Sequence, residues 1–306
     1  MNREPVFSAS GHPEDRGLDL ALRPRSFDDF VGQHRIIENL KVYIRATRER
    51  GEPLDHLLFS GLPGLGKTTL SYLIAREMES DIKATSGPAL SRPRDLAGIL
   101  TNLAEGDILF IDEIHRLPIT VEEYLYTAME DFGIDIVLDQ GPAARSIKID
   151  LQRFTLIGAT TREGQLSAPL RSRFGIHERL DLYPQEDLAD IITRSARQLS
   201  VDLDEDAAWY VGGHSRGTPR VANRFLKRLR DFAQLESGNR ISMVVAGNGL
   251  TRLGIDEYGL SDVDRKILTT LVRAGGSAVG LKTIAVSVGE EERTIEDVYE
   301  PYLIQQ

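Results

Sequence analysis

Gly61, Gly66, Lys67 and Thr68 stand in the order Gly-x-x-x-x-Gly-Lys-Thr within "HLLFSGLPGLGKTTL", residues 56–70. That spacing suits a phosphate. Glycines let successive backbone N–H groups close round its oxygens, and a helix beginning at the lysine adds a favourable dipole. The apolar run before the loop and the amphipathic run after it predict the strand–loop–helix setting that the pattern requires. Lys67 is placed to neutralise the β and γ oxygens of a nucleoside triphosphate, and the Thr68 hydroxyl to complete a magnesium shell. The loop alone would serve a kinase, a GTPase or a motor.

A second stretch narrows the choice. In "ILFIDEIH", residues 108–115, four apolar residues end in Asp112 and Glu113. Ligands bind at the carboxyl ends of such strands. Asp112 is expected to act on magnesium, directly or through water, and Glu113 to polarise an attacking water as general base. A carboxylate in that place argues for hydrolysis over binding alone. "GATTR", residues 158–162, closes another apolar strand. Its Thr161 can bond the attacking water or the γ-phosphate, although Thr-Thr at a strand end is common. "PLRSRFG", residues 169–175, offers Arg171 and Arg173. Taken alone these read as solvated surface; in this company one of them is a candidate arginine finger, a group that a neighbouring subunit can supply. "RGTPR" puts Arg220 in the first turn of a helix with an apolar face of Val221, Phe225, Leu229 and Phe232. Arg224, Lys227 and Arg228 on the opposite face read as solvated charge, and Arg220 is the exception expected to act.

The elements that must hold these groups alternate. "DHLLFSG", "DIKATSG", "DILFIDE", "FTLIGAT" and "ERLDLY" are the strand candidates, with "KTTLSYLIAREME" and "VEEYLYTAMEDF" helical between them. Near-continuous apolar strands separated by helices predict an α/β core with a parallel sheet covered on both faces. "IDIVLDQGPAARSIKID", residues 134–150, interrupts the alternation with a hairpin signal. Its Ile134, Ile136 and Val137 either join the core or meet a partner. From Pro184 to Gly254 the pattern is purely helical. A third unit, residues 257–306, predicts three helices with short turns, as in a helix-turn-helix. The expected organisation is a lead-in over 1–18, a large ATPase domain over 19–183, a small helical lid over 184–254 and a DNA-binding unit over 257–306.

Bulk properties set outer limits. Of 306 residues, 41% are hydrophobic and 27% charged, as in an ordinary globular protein. No apolar run approaches the roughly 18–20 residues that span a bilayer, and the first residues lack a signal-peptide core, so no membrane contact and a cytoplasmic location are expected. There is no cysteine, and the six histidines show no metal-ligand spacing, so zinc is not expected. A formal charge of −10 makes any nucleic-acid contact local. Residues 216–230 hold six bases and no acid, whereas residues 257–306 hold nine acids against five bases.

Phosphate loop, Asp-Glu pair, threonine, finger and lid arginine together resemble an AAA+ ATPase. "LRPRSFDDFVGQ", "ATSGPAL", "LFIDEIHRL", "YTAMEDF", "GPAARSIKIDL", "PLRSRFGI", "RGTPRVANR", "DRKIL" and "TIEDVYEPYLIQQ" resemble more closely the RuvB family of bacterial Holliday-junction branch-migration motors, over residues 19–306. The resemblance implies a homohexameric ring round duplex DNA that hydrolyses ATP with Mg2+. The ring would act on a Holliday junction held by a RuvA tetramer, together with RuvC. It also implies roles by position. Leu22 and Arg23 border the adenine pocket; Gly64, Lys67, Thr68 and Thr69 hold phosphates and magnesium. Glu130, Asp131, Phe132 and Tyr183 lie near nucleotide. Thr161 is the first sensor, Arg173 the finger and Arg220 the second sensor. Residues 134–150, with Ile134, Ile136 and Val137, become the RuvA-docking hairpin. The family pattern continues past "EPYLIQQ" into a basic wing, so the third unit is expected as a truncated winged helix, with Arg293 its nearest basic candidate for DNA. Two alternatives stay open: a clamp-loader-like ATPase, and a nucleotide-gated DNA-binding switch with slow turnover.

Overall fold

Five parallel strands form the sheet in a computed structural model that describes residues 21–137 and 146–305. In chain order the strands of this region are β1 (Leu57–Ser60), β2 (Ile82–Ser86), β3 (Ile108–Asp112), β4 (Gly133–Val137), β5 (Ser146–Asp150), β6 (Thr155–Thr160) and β7 (Ile176–Arg179). The sheet runs β2-β3-β6-β1-β7. Register follows from pairs such as Leu57↔Ile157, Ile108↔Thr155 and Leu57↔Ile176. β1 and β6 are buried along their whole length, which is why they read as unbroken apolar runs. Leu58, Leu109, Ile111 and Leu156 pack with Leu125 and Met129 in one cluster. Each such side chain contributes about 1.5–3 kcal/mol relative to exposure.

The last strand begins earlier than the sequence suggests. β7 starts at Ile176, whose N–H donates to the His56 carbonyl, and the ladder extends to Leu180 N–H on the Ser60 carbonyl. "ERLDLY" therefore overlaps only its second half. β4 and β5 pair antiparallel from Gly133↔Asp150 to Val137↔Ser146, as the hairpin signal predicts. The turn between them, and the side chains of Ile136 and Val137, lie outside the described residues, as does the expected lead-in.

Chain contacts divide the molecule into two compact units. One comprises Pro24–Gly61 and Gly66–Asp181 and holds the sheet. The other gathers Leu62–Leu65 with the chain from Leu182 onward and includes Leu22 and Arg23. In this partition residues 184–254 and 257–306 stay together. The stretch from Pro184 to Gly254 is not purely helical. Beside helices Gln185–Gln198, Glu205–Gly213, Pro219–Glu236 and Met243–Arg252 it contains β8 (Asp202–Leu203) and β9 (Arg240–Ile241), a two-residue parallel ladder. Two residues are too few to show alternation, so periodicity could not reveal them. Beyond it come helices Asp262–Arg273 and Leu281–Val288, then a helical run with a π-turn at Ile295–Tyr299.

One buried ion pair organises this second unit. Arg216, 6% exposed, donates to Asp264, which is fully buried. Asp264 also accepts the Ser261 N–H at 2.6 Å and so caps its own helix. The Arg216 guanidinium lies 4.8 Å from the Tyr302 ring centroid and 5.9 Å from that of Tyr299. Burial lowers the Arg216 pKa while Asp264 opposes the shift.

Candidate active site

The loop after β1 turns on Gly61, Gly64 and Gly66, with φ of 135°, 84° and 106°. Side-chain-bearing residues rarely adopt these values. The helix Lys67–Glu77 follows directly, and Leu70 N–H closes its first turn on the Gly66 carbonyl at 2.9 Å. Thr68 and Thr69 sit in that turn, partly exposed. Lys67 is only 7% exposed, and its ammonium donates to the Gly61 carbonyl at 2.7 Å. Burial pulls its pKa down to about 8, against the opposing pull of Asp112 and Glu113. A cation desolvated beside two carboxylates, at the carboxyl end of a parallel sheet, matches a phosphate better than it matches water.

Glu113 is held in an uncommon backbone state, φ 49° and ψ 45°. Its N–H donates to Asp112 Oδ1 at 3.0 Å, and its carbonyl accepts the Arg116 N–H at 2.9 Å. Gly87 lies against it: a Cβ there would stand 2.4 Å from the Glu113 carbonyl oxygen. Strain of this kind persists where surrounding contacts over-determine it, as at functional sites. The Glu113 carboxylate meets the end of β6, since Thr161 Oγ1 donates to Oε2 at 3.4 Å. His115, its side chain 1% exposed, places Nε2 3.3 Å from that oxygen and Nδ1 2.9 Å from Thr160 Oγ1. Thus Lys67, Asp112, Glu113 and Thr161 gather at one end of the sheet. Sequence reasoning missed Gly87, His115 and Thr160. Their roles come from contacts between strands, although "DEIH" and the Thr-Thr pair were visible.

The second unit carries the other expected groups. Arg220 opens the helix Pro219–Glu236, and a Cβ on Gly64 would come within 2.8 Å of its Cβ. Only glycine permits that approach, so the lid arginine stands against the phosphate-loop tip. The Tyr183 hydroxyl donates to the Leu65 carbonyl at 3.0 Å. Leu22 is buried, and its carbonyl accepts from Arg194 at 3.3 Å.

A different group collects at the amino ends of the strands. Arg173 precedes β7, pairs with Glu130 at 3.0 Å and stands 4.5 Å from the Tyr126 ring centroid. Phe132 packs against Phe154 edge-on, 5.9 Å between centroids, and beside His56. His56 precedes β1 and Phe154 precedes β6, whereas the phosphate loop follows β1. A four-residue strand spans roughly 13 Å, so Glu130, Phe132 and Arg173 lie at the opposite end of the sheet from their own phosphate loop. Within one protomer they do not line that loop, and the finger role expected of Arg173 concerns a neighbouring subunit's nucleotide. Ile134 is expected as part of a partner-facing hairpin, and the structure corrects this. At 1% exposure it belongs to the core cluster, because β4 continues directly from the buried helix Ile119–Asp131. Ile147 of β5 is instead 49% exposed. Arg293 is engaged in an i,i+4 contact with Asp297 at 3.4 Å.

Family comparisons cover the whole of this arrangement. The Holliday junction DNA helicase RuvB P-loop domain matches residues 22–180. The RuvB AAA lid domain matches residues 183–256, and the RuvB C-terminal winged helix domain residues 257–306. The Holliday junction branch migration complex subunit RuvB of Myxococcus xanthus is 60% identical over 295 residues, 96% of this chain and 86% of that protein. Its counterpart in Chlorobaculum tepidum is 59% identical over 306 residues, 100% and 89% respectively. Among solved structures, the Thermotoga maritima RuvB Holliday junction branch migration motor superposes with a TM-score of 0.85 at 48% identity, covering 93% of this chain and 91% of that one.

Proposed function

The chain belongs to the RuvB family, and from that membership we propose that it is an ATP-hydrolysing motor driving branch migration of Holliday junctions. Its fold is the parallel-sheet P-loop core, lid and winged helix of that family. The observation that carries the chemical half is the buried Lys67 ammonium beside Asp112 and Glu113, at the mouth of a glycine loop. Lys67 neutralises the β and γ oxygens of ATP, and backbone N–H groups of the loop cradle them. Glu113 takes a proton from the attacking water, and Thr161 fixes the carboxylate's direction. Family membership assigns nucleotide contacts to Arg220, Tyr183, Leu22 and Arg23 as well.

Magnesium fits the donor set. Thr68 and Asp112 offer hard oxygens, and Mg2+ takes much of its shell from phosphate and water. No gathering of three or more His, Cys, Asp or Glu able to hold a metal occurs among the described residues. Bound there, magnesium would be held by Thr68 and Asp112 and would offset negative charge on the β- and γ-phosphates.

Arg173, with Glu130, Asp131 and Phe132, serves the nucleotide of a neighbouring protomer. Its place at the far end of its own sheet supports that reading. Family membership adds to this proposal a ring of six copies, with a RuvA tetramer, RuvC and duplex DNA as its partners. The hairpin β4–β5 is the RuvA-docking element through Ile136, Val137 and exposed Ile147, and Arg293 contacts DNA. The boundaries 19–183, 184–254 and 257–306 belong to the same proposal, as does a cytoplasmic location; no described helix is long and apolar enough to cross a membrane.

ATP turnover measured with and without a synthetic four-way junction tests it. Junction DNA should raise turnover, and Lys67→Ala should abolish it through lost nucleotide affinity. Turnover that stays flat with DNA would favour a nucleotide-gated switch. Unchanged ATP affinity in Lys67→Ala would remove the phosphate-cradle assignment.

A further inference from the structure

We infer that His115 is a positioning residue for hydrolysis, orienting the Glu113 carboxylate and tying it to the end of β6 through Thr160. This rests on reading Glu113 as the general base. The imidazole has almost no solvent contact, and both ring nitrogens face named groups. Arg162 N–H donates to Thr160 Oγ1 at 3.0 Å, filling an acceptor position on that hydroxyl. The Thr160 proton is then available for His115 Nδ1, 2.9 Å away. A neutral imidazole that accepts at Nδ1 carries its proton on Nε2. That proton faces Glu113 Oε2 across 3.3 Å.

The tautomer with its proton on Nε2 gives the Thr160 proton an acceptor and the Glu113 carboxylate a facing donor. A main-chain N–H next to the sensor threonine orients a hydroxyl, the hydroxyl orients a ring, and the ring offers a donor to the base. The final contact is the loosest of the series: its angle falls short of a hydrogen bond, so a small rotation of either side chain makes or breaks it. Thr161 Oγ1 donates to the same oxygen at 3.4 Å. Two donors from the end of one strand and one 3-10 turn thus converge on Oε2. A shift of residues 160–162, on gain or loss of the γ-phosphate, moves the base with it. Glu113 cannot adjust freely, because its main chain is pinned by Asp112, Arg116 and Gly87.

Steady-state ATP turnover by the full chain with duplex DNA tests this. His115→Asn keeps a polar group near the Nδ1 position for Thr160 but does not reach Glu113. His115→Gln reaches Glu113 with an amide donor. His115→Asn should lower kcat about ten- to a hundredfold, the scale of a misplaced catalytic group, with KM for ATP within about twofold. His115→Gln should recover most of the loss. Glu113→Gln/His115→Asn should turn over no more slowly than Glu113→Gln alone. Full-speed His115→Asn, an effect on KM in place of kcat, additive losses in the double variant, or a folded but inactive His115→Gln would each overturn the role. Glu113→Gln at the original rate would instead break the general-base reading itself. Thermal unfolding of every variant separates misfolding from misplacement, and His115→Gln carries the test should His115→Asn not fold.

Discussion

His56 shows how one side chain can join the sheet to a helix and make the joint pH-sensitive. Its Nδ1 accepts the Leu156 N–H at 2.9 Å, and its Nε2 lies 3.1 Å from the Met129 carbonyl. Only the neutral ring with its proton on Nε2 satisfies both. Burial lowers the folded pKa below the ordinary 6.5, while the Met129 contact and Asp55 oppose the shift. The sign follows from proton binding. Above 6.5 the ring is neutral folded and unfolded, and its contribution is complete. As pH falls below 6.5 the unfolded chain takes up the proton first, and stability is lost until the folded ring also protonates. Urea unfolding between pH 7 and pH 5 should therefore show a steeper acid loss in the original chain than in His56→Gln. The difference should not exceed about 2 kcal/mol, the linkage limit over that pH range for one ring that protonates at 6.5 unfolded and stays neutral folded. Parallel curves would remove His56 from the explanation. Nothing in "DHLLFSG" announces this joint, because both partners lie far along the chain. Lys67, Asp112 and Glu113 were legible for the converse reason: their chemistry is set by neighbours in sequence and by the strand ends that carry them.

At the scale of elements, continuous apolar runs such as "ILFI" exposed the central strands, and glycine with proline at "DQGPAA" exposed a hairpin. The two-residue ladder escaped, since it is too short to show a period. Ile134 escaped in another way. The sequence allowed core or partner, and burial decided, because β4 leaves the helix Ile119–Asp131 with no intervening loop. The pair Arg216–Asp264 was equally invisible, its members standing 48 positions apart. It fastens the turn that precedes Arg220 to the helix Asp262–Arg273, so lid and third unit share a buried charge. Taking one partner from such a pair strands the other in a poorly solvated site and costs about 3–5 kcal/mol. Arg216→Met should lower the urea midpoint accordingly, and Asp264→Asn similarly. Arg216→Met/Asp264→Asn should recover part of the loss, since no lone buried charge remains. Additive losses in the double variant would show that each residue acts alone.

For the whole molecule, the finger role proposed for Arg173 would make assembly a condition of turnover, because it stands at the opposite end of the sheet from the proposed base. Glu113 and Thr161 stand at the carboxyl ends of the strands, Arg173 and Glu130 at the amino ends. On that proposal a protomer presents a base at one end of its sheet and a finger at the other, and neither completes its own site. An arginine finger contributes roughly 10³–10⁵ in kcat. Arg173→Ala should thus retain nucleotide affinity and lose nearly all hydrolysis; Glu113→Gln should do the same for a different reason. Mixed in equal amounts, the two inactive chains form rings in which a protomer with an intact base meets a neighbour with an intact finger. Random assembly makes that combination at about a quarter of interfaces, since two independent halves must coincide in a closed head-to-tail ring. The mixture should recover ATP turnover approaching that fraction, and the recovery should grow with protein concentration as rings form. A mixture as inactive as its components, although both bind nucleotide and co-assemble, would mean that Arg173 works within its own protomer or not at all, and the ring would no longer be needed to explain the chemistry.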